Sequence, residues 1–343
     1  MQGFNKKNNL LYIDDIPLSQ LAKDYGTPTY IYSQSLINSN FKDYASSLRE
    51  GDLVCYAIKA NPNISILKLL TEMGSGFDVV SANEIKRALL AGVDPKKIVF
   101  SGVGKSIKEL SFAIEAEILF INIESYGELK RINELAIAKN KKVPCCIRLN
   151  PNISAKTHEY IATGLKTSKF GISESEIKDI SENIGQFDGV SLKGLSCHIG
   201  SQITDPSLSL QALKILMECA TSLQELNIEI EYLNIGGGLA IQYKDEPEVS
   251  IKDVIKLLTE EVGPNYKLIV EPGRSIVGNS GALISQVELI KETENLSFAL
   301  IDAGMNDLIR PALYDAWHNI SEVEYGNIEP REYSIVGPVC ESA

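Results

Sequence analysis

Eight short apolar runs, each followed by an amphipathic stretch, set the tightest limit on what this chain can fold into. They are LVCYAIKAN (53–61), GFDVVS (76–81), KIVFSG (97–102), EILFINI (117–123), PCCIRLN (144–150), GLSCHIG (194–200), EYLNIGGG (231–238) and KLIVEPG (267–273). Each is too short for a typical helix and continuous in the way of strands covered on both faces. The stretches between them, such as ISILKLLTEM (64–73), ANEIKRALLAG (82–92) and LSLQALKILMECATSLQEL (208–226), carry apolar residues at three- and four-residue spacing. Gly92 reads as a helix stop.

Strands alternating with helices fit either a (β/α)₈ barrel or a doubly wound open sheet. The ends of the runs separate the two. Almost every run finishes on a polar residue or glycine: Lys59, Asp78 with Ser81, Ser101, Asn122, Arg148 with Asn150, His198, the glycines at 236–238, and Glu271. In a barrel all strand C-termini meet on one rim, where barrel enzymes keep their chemistry. In an open sheet only those at the switch point meet. The expectation is therefore a (β/α)₈ barrel over residues 28–280. After 280 the segments GALISQVELIKE, SFALIDAG and EYSIVGPVC are strand-like, without long helices between them. Together with strand-like pieces in residues 9–32 they suggest a mainly β domain made from 1–27 plus 281–343.

Composition narrows the partners. The net charge is −12, with no basic tract, so a nucleic-acid backbone or an anionic membrane is not expected. No run approaches the roughly 18 apolar residues of a membrane span, and the N-terminal residues show no signal-peptide pattern. Six cysteines lack a C-x-x-C pair or a zinc cadence, so no metal is expected. Reduced thiols and a cytoplasmic location follow as the default.

Four rim features carry chemistry. Lys59, in YAIKANPN, closes a buried run, where an ammonium is costly to desolvate. It reads as a lysine of lowered pKa that condenses with a carbonyl, or as a rim lysine reaching solvent. NIGGGLA (234–240) can cradle a phosphate on backbone amides or be a flexible turn; it lacks the dinucleotide spacing. EPGR (271–274) offers a carboxylate for a protonated ring nitrogen, or an ion pair that steadies a loop. CHIGSQ (197–202) offers an imidazole to stack on a flat cofactor, or a structural histidine. Taken together, an amine, a phosphate nest, a ring-nitrogen carboxylate and a flat imidazole are the contacts that pyridoxal 5′-phosphate (PLP) needs.

YAIKANPN, GSGFDVVSANE, RLNPNISAKTHEYIATGLKTSKFGI, CHIGSQ, NIGGGLA, EPGRSIVGNSG, DAGMNDLIRPALYDAWH and GPVCES resemble successive blocks of the fold-type III PLP decarboxylases. The resemblance runs from about residue 10 to the last, and DLIRPALYDAWH with GPVCES matches the diaminopimelate decarboxylase branch. It implies an alanine-racemase-like barrel with a β domain, and decarboxylation of meso-diaminopimelate to L-lysine as the last step of lysine biosynthesis. By the same resemblance Lys59 is the PLP lysine and His198 stacks on the pyridine. Ser201, Gly237, Gly238 and the loop around Gly273, Arg274 included, hold the phosphate, and Glu271 pairs with the ring nitrogen. Asp78 and Glu84 lie near the cofactor. Arg274, Arg310 and Tyr314 bind the remote carboxylate and Glu341 the distal ammonium. Cys340 reaches into the neighbouring subunit's site of a homodimer as proton donor.

Arginines suit a remote end that carries a carboxylate, since Arg binds carboxylates bidentately. The chain stops at Ala343, directly after GPVCES, where family members continue. The resemblance thus implies a β domain unfinished at its C-terminal end. Two other readings stand beside this one. One is a decarboxylase of another amino acid, such as a D-amino acid or carboxynorspermidine. The other is a PLP-binding relative with weak or no catalysis.

Overall fold

Apolar runs covered on both faces have no edge to offer water, and closing the sheet on itself removes the last two edges. The computed structural model describes residues 3–153, 169–326, 329 and 331–340. Its contacts divide the chain into two units: Met1–Ser39 with Gln242–Pro247 and Val277–Ala343, and Asn40–Ile241 with Glu248–Ile276.

The second unit is the barrel. Its parallel strands are β1 (Leu53–Ala57), β2 (Gly76–Val79), β3 (Ile98–Phe100), β4 (Phe120–Ile123), β5 (Val143–Arg148), β6 (Val190–Ser196), β7 (Tyr232–Asn234) and β8 (Lys267–Val270). They close in chain order, with β8 pairing back onto β1 through Ile269↔Leu53 and Val270↔Val54. Six of them fall inside the apolar runs, whereas β5 begins one residue before its run and β6 four residues before. The helices between them start on side-chain caps: Asn63, Ser81, Ser106, Ser125, Ser173, Asp205 and Ser250 each accept from a backbone N–H of the first turn. Ser106–Glu109 and Ser173–Glu176 complete reciprocal capping boxes.

The two-residue period of a strand then sorts the barrel interior into layers. Cys55, Val99, Phe120, Cys146 and Ile269 form one apolar plug, with Leu53, Leu119 and Tyr232 packed on it. Two residues further along five of the strands the character switches: Val99 is followed by Ser101, Phe120 by Asn122, Cys146 by Arg148, Tyr232 by Asn234, and Ile269 by Glu271. A polar layer therefore lies directly on the apolar one, at the strand C-termini.

The first unit draws its strands from both ends of the chain. Phe4–Lys7, Leu10–Ile13 and Ile16–Pro17 make an antiparallel sheet. The strand-like character of residues 9–32 is broken by a helix, Leu18–Tyr25, which follows Pro17 and ends at Gly26. Thr29–Tyr32 pairs antiparallel with Gly281–Ile284. That pairing draws residues 28–39, read above with the barrel, into this unit. Val287–Glu292, Ser297–Ile301 and Ser334–Val336 form a further sheet. Phe4, Ile13, Leu18, Leu36 and Ile284 form a hydrophobic core cluster of this unit. Among the described residues no helix is long and apolar enough to cross a membrane.

Phe120 is fully buried in the barrel plug, its ring centroid 5.7 Å from that of Tyr232. Phe120→Ala is expected to lower stability by about 3–5 kcal/mol, read as a lower midpoint in urea unfolding of the full chain.

Candidate active site

The polar layer gathers the rim residues in one place. Lys59 sits in the 3₁₀ turn Ile58–Ala60 that leaves β1. Its neighbour is set by sheet register: Ala57 stands opposite Asp78 on β2, and the Lys59 Nζ donates to Asp78 Oδ2 at 2.6 Å. Asp78 is buried while the lysine side chain is half exposed. The other Asp78 oxygen is buried without a partner among the described residues. Burial pulls the Lys59 ammonium down, but the carboxyls of Asp78 and Glu271 outweigh it, so its pKa lies above the ordinary lysine value. This corrects the lowered value expected from sequence. The apolar run announced the cost of burial, whereas the paired carboxylate comes from the adjacent strand.

Glu271 follows β8. Its Oε1 accepts from Asn234 Nδ2 at 2.6 Å, and Asn234 Oδ1 accepts from Gly236 N at 2.9 Å. Asn234 thereby ties the carboxyl to the glycine loop. Burial first, and the Asp78 carboxylate second, push Glu271 up to about 8. His198, after β6, accepts from Gly237 N through Nδ1 at 3.4 Å. Burial, Lys59 and Arg148 together bring its pKa down to about 3, so the imidazole is neutral at physiological pH.

The glycine loop has no room for side chains. A Cβ on Gly237 would stand 2.1 Å from the Glu271 carbonyl oxygen, and one on Gly238, whose φ is +106°, 2.1 Å from the Gly200 carbonyl oxygen. The loops after β6 and β7 are also zipped together. Ile203 N donates to Gly238 O at 2.9 Å and Ala240 N to Ile203 O at 3.0 Å. Gln202, in a left-handed conformation, donates from Nε2 to Ile241 O at 2.7 Å and accepts from Ile241 N at 3.2 Å. Arg274 donates to the same Gln202 side chain at 3.3 Å. Ser201 lies within this zipped segment, and Gly273 packs against Ala57 and Ala60.

These residues fit a flat, phosphorylated, aldehyde-bearing cofactor. They offer a backbone nest for a phosphate, a neutral imidazole, a carboxyl near the end of β8, and an amine whose counter-carboxylate keeps one oxygen spare. Glu84, whose carboxylate accepts from Val80 N at 2.7 Å, is raised by burial and by Asp78 and lowered by Lys59, which puts it in the same electrostatic neighbourhood. Among the described residues no group of His, Cys, Asp and Glu could hold a metal ion.

The remaining expected residues belong to the first unit. The Arg310 guanidinium lies over two rings, Tyr243 at 4.9 Å and Tyr314 at 5.5 Å, and His318 meets Tyr243 edge-on at 5.4 Å. Aromatic faces on a guanidinium leave its N–H edge for a carboxylate. Arg310 Nε is buried without a partner among the described residues. Cys340 is free and exposed. Glu341 lies outside the described residues. Sequence reasoning gave no role to Asn234, Gln202, Arg148 or Tyr243. The visible signal for Asn234 and Arg148 was a polar side chain two residues beyond a plug residue.

Comparison with known proteins agrees with this geometry. Residues 34–278 match the pyridoxal binding domain of pyridoxal-dependent decarboxylases. The diaminopimelate decarboxylase of Pseudomonas aeruginosa is 42% identical over 344 residues, covering 100% of this chain and 83% of that one. The solved diaminopimelate decarboxylase of M. jannaschii in complex with L-lysine superposes with a TM-score of 0.92 at 38% identity, over 99% of this chain and 82% of that one. The corresponding Helicobacter pylori structure with L-lysine gives a TM-score of 0.89 at 41% identity, over 95% of this chain and 82% of that one.

The raised Glu271 has a consequence for stability. The folded protein keeps this proton between its ordinary value of 4.5 and about 8, where the unfolded chain has lost it. Stability of the ligand-free protein therefore falls as pH rises through that window, by at most about 1.4 kcal/mol per pH unit from this one proton. Glu271→Gln is expected to flatten the slope between pH 5 and 8 in urea unfolding. A slope as steep as that of the unsubstituted chain would contradict the assignment.

Proposed function

This chain belongs to the diaminopimelate decarboxylase family of pyridoxal-dependent decarboxylases, and we propose that its reaction is the decarboxylation of meso-2,6-diaminopimelate to L-lysine, the closing step of lysine biosynthesis. One observation carries the reading. The Lys59–Asp78 pair, the glycine nest, neutral His198 and Glu271 share the rim of a single barrel, in a chain matched along its whole length by members of that family.

When bound, pyridoxal 5′-phosphate supplies an electron sink for the pair released as the bond between Cα and the carboxylate breaks. The chain's own residues do the rest. Lys59 is the residue assigned to hold the cofactor covalently, and Asp78 keeps a proton at its nitrogen. The backbone at Gly237, Gly238 and Gly273, with Ser201, takes the phosphate. His198 would offer the ring an uncharged imidazole, since a second cation there would oppose a protonated pyridine. Glu271, held in place by Asn234, would pair with the ring nitrogen and could share or surrender a proton there, its pKa being close to neutrality.

Substrate choice rests on the remote end. Arg274, Arg310 and Tyr314 are assigned to its carboxylate, and Glu341 to its ammonium. The ring-flanked guanidinium of Arg310 supports this, since a substrate ending in an ammonium alone would meet an unpaired cation. That argument favours a diamino diacid over monocarboxylate substrates. Remote binding also orients the α-carboxylate for departure.

We assign the enzyme to the cytoplasm as a homodimer with shared sites, in which exposed Cys340 donates the proton at Cα in the neighbouring subunit. Among the described residues no disulfide joins the cysteines, which suits a reducing compartment.

Carbon dioxide release from meso-diaminopimelate, set beside D-amino acids and carboxynorspermidine, tests the substrate. Lys59→Ala is expected to lose turnover by about a thousandfold or more, and borohydride should no longer fix cofactor to the chain. Persistent turnover in that variant would refute the role of Lys59. Arg310→Gln is expected to raise KM for the diacid by on the order of a hundredfold, with a smaller change in kcat.

A further inference from the structure

Beside the residues assigned above lies a second charged pair with no role in that scheme. Arg148, at the end of β5, is buried, and its Nη1 donates to Glu124 Oε1 at 2.7 Å. Glu124 is equally buried and, among the described residues, accepts three hydrogen bonds. Besides Arg148 they come from Gly102 N, after β3, at 3.2 Å, and from Gly171 N at 2.9 Å. The Arg148 guanidinium also lies 4.7 Å from the centre of the Phe170 ring. Gly102 is gripped from its other side as well, since Lys105 donates to its carbonyl at 2.6 Å, and Lys105 is itself paired with Glu128 at 3.0 Å. Such investment is unneeded for a rim loop that has only to be stable, because an apolar group would cost less to bury.

Arg148 shares a strand face with Cys146 of the plug and stands in register with Ser196 on β6, two residues before His198. Its charge acts on Lys59, His198 and Glu271 alike. We propose that Glu124 is a positioning residue for the decarboxylation: its carboxylate clasps Arg148 and the backbone after β3 and β5, and so fixes and tempers the guanidinium charge of Arg148. The proposal deepens the functional reading above and rests on it only for the kinetic readout.

The test follows Lys59, which faces Asp78 from β2, Glu84 from the following helix, Arg148 from β5, His198 after β6 and Glu271 after β8. In the full chain freed of cofactor, the rate of Lys59 modification by cyanate is measured against pH by mass spectrometry. Glu124→Gln keeps the shape and removes the charge that offsets Arg148. The Lys59 pKa is expected to fall by about half to one unit, and kcat of the holoenzyme by about tenfold with KM little changed. Glu124→Asp keeps the charge and should retain the Lys59 pKa. In the double variant E124Q/R148Q both charges are gone, and the Lys59 pKa should return toward that of the unsubstituted chain. A merely structural Glu124 would give additive losses of stability and no such reversal.

An unchanged Lys59 pKa in E124Q, or a double variant that shifts it further down, overturns the proposal. Should E124Q not accumulate as folded protein, R148Q and the double variant decide. The stranded carboxylate in R148Q must raise the Lys59 pKa and the double variant must lower it again; equal values overturn the proposal. Cyanate labelling needs no cofactor, so a holoenzyme without turnover on diaminopimelate would count against the functional reading alone.

Discussion

A charge withdrawn from water must find a partner, and at the open end of this barrel that requirement orders everything else. The strand period delivers polar side chains two residues above an apolar plug, where solvent is scarce. Three cations there are matched among the described residues: Lys59 by Asp78, Arg148 by Glu124, Lys105 by Glu128. The exceptions are informative. Glu271 has an amide for a partner and His198 a backbone N–H, and both are driven toward their neutral forms. The site is thus a neutral carboxyl and a neutral imidazole held beside balanced ion pairs.

That arrangement suits chemistry in which protons and electron pairs move without net charge being imported from solvent. A carboxyl whose pKa is near neutrality can give or take a proton at little cost. An imidazole that stays neutral leaves any cationic ring unopposed. The glycine loop joins these parts, because its amides touch His198 on one side while Asn234 reaches Glu271 on the other.

Much of this was legible in the sequence. The apolar runs became the eight barrel strands because continuous hydrophobicity over so few residues admits little else, and the polar residues that end them share one rim. The helix starts could be read from Ser, Asp and Asn ahead of amphipathic stretches. The direction of the Lys59 shift was not legible. It depends on Ala57 facing Asp78 across two strands, a register no local pattern encodes. Glu124 escaped notice for the same reason, since its three donors come from residues 102, 148 and 171. Gln202 stood inside a quoted motif, yet its grip on Ile241 follows from a left-handed backbone rather than from its residue type.

The ladder between the segments around Ile203 and Leu239 makes two separate connections into one mechanical piece. Neither can be lengthened, shortened or exchanged for a relative's version by itself, because the other would lose its lacing at Gln202 and Ile203. Anyone transplanting this cofactor grip into another barrel would have to carry both segments together, as a matched pair.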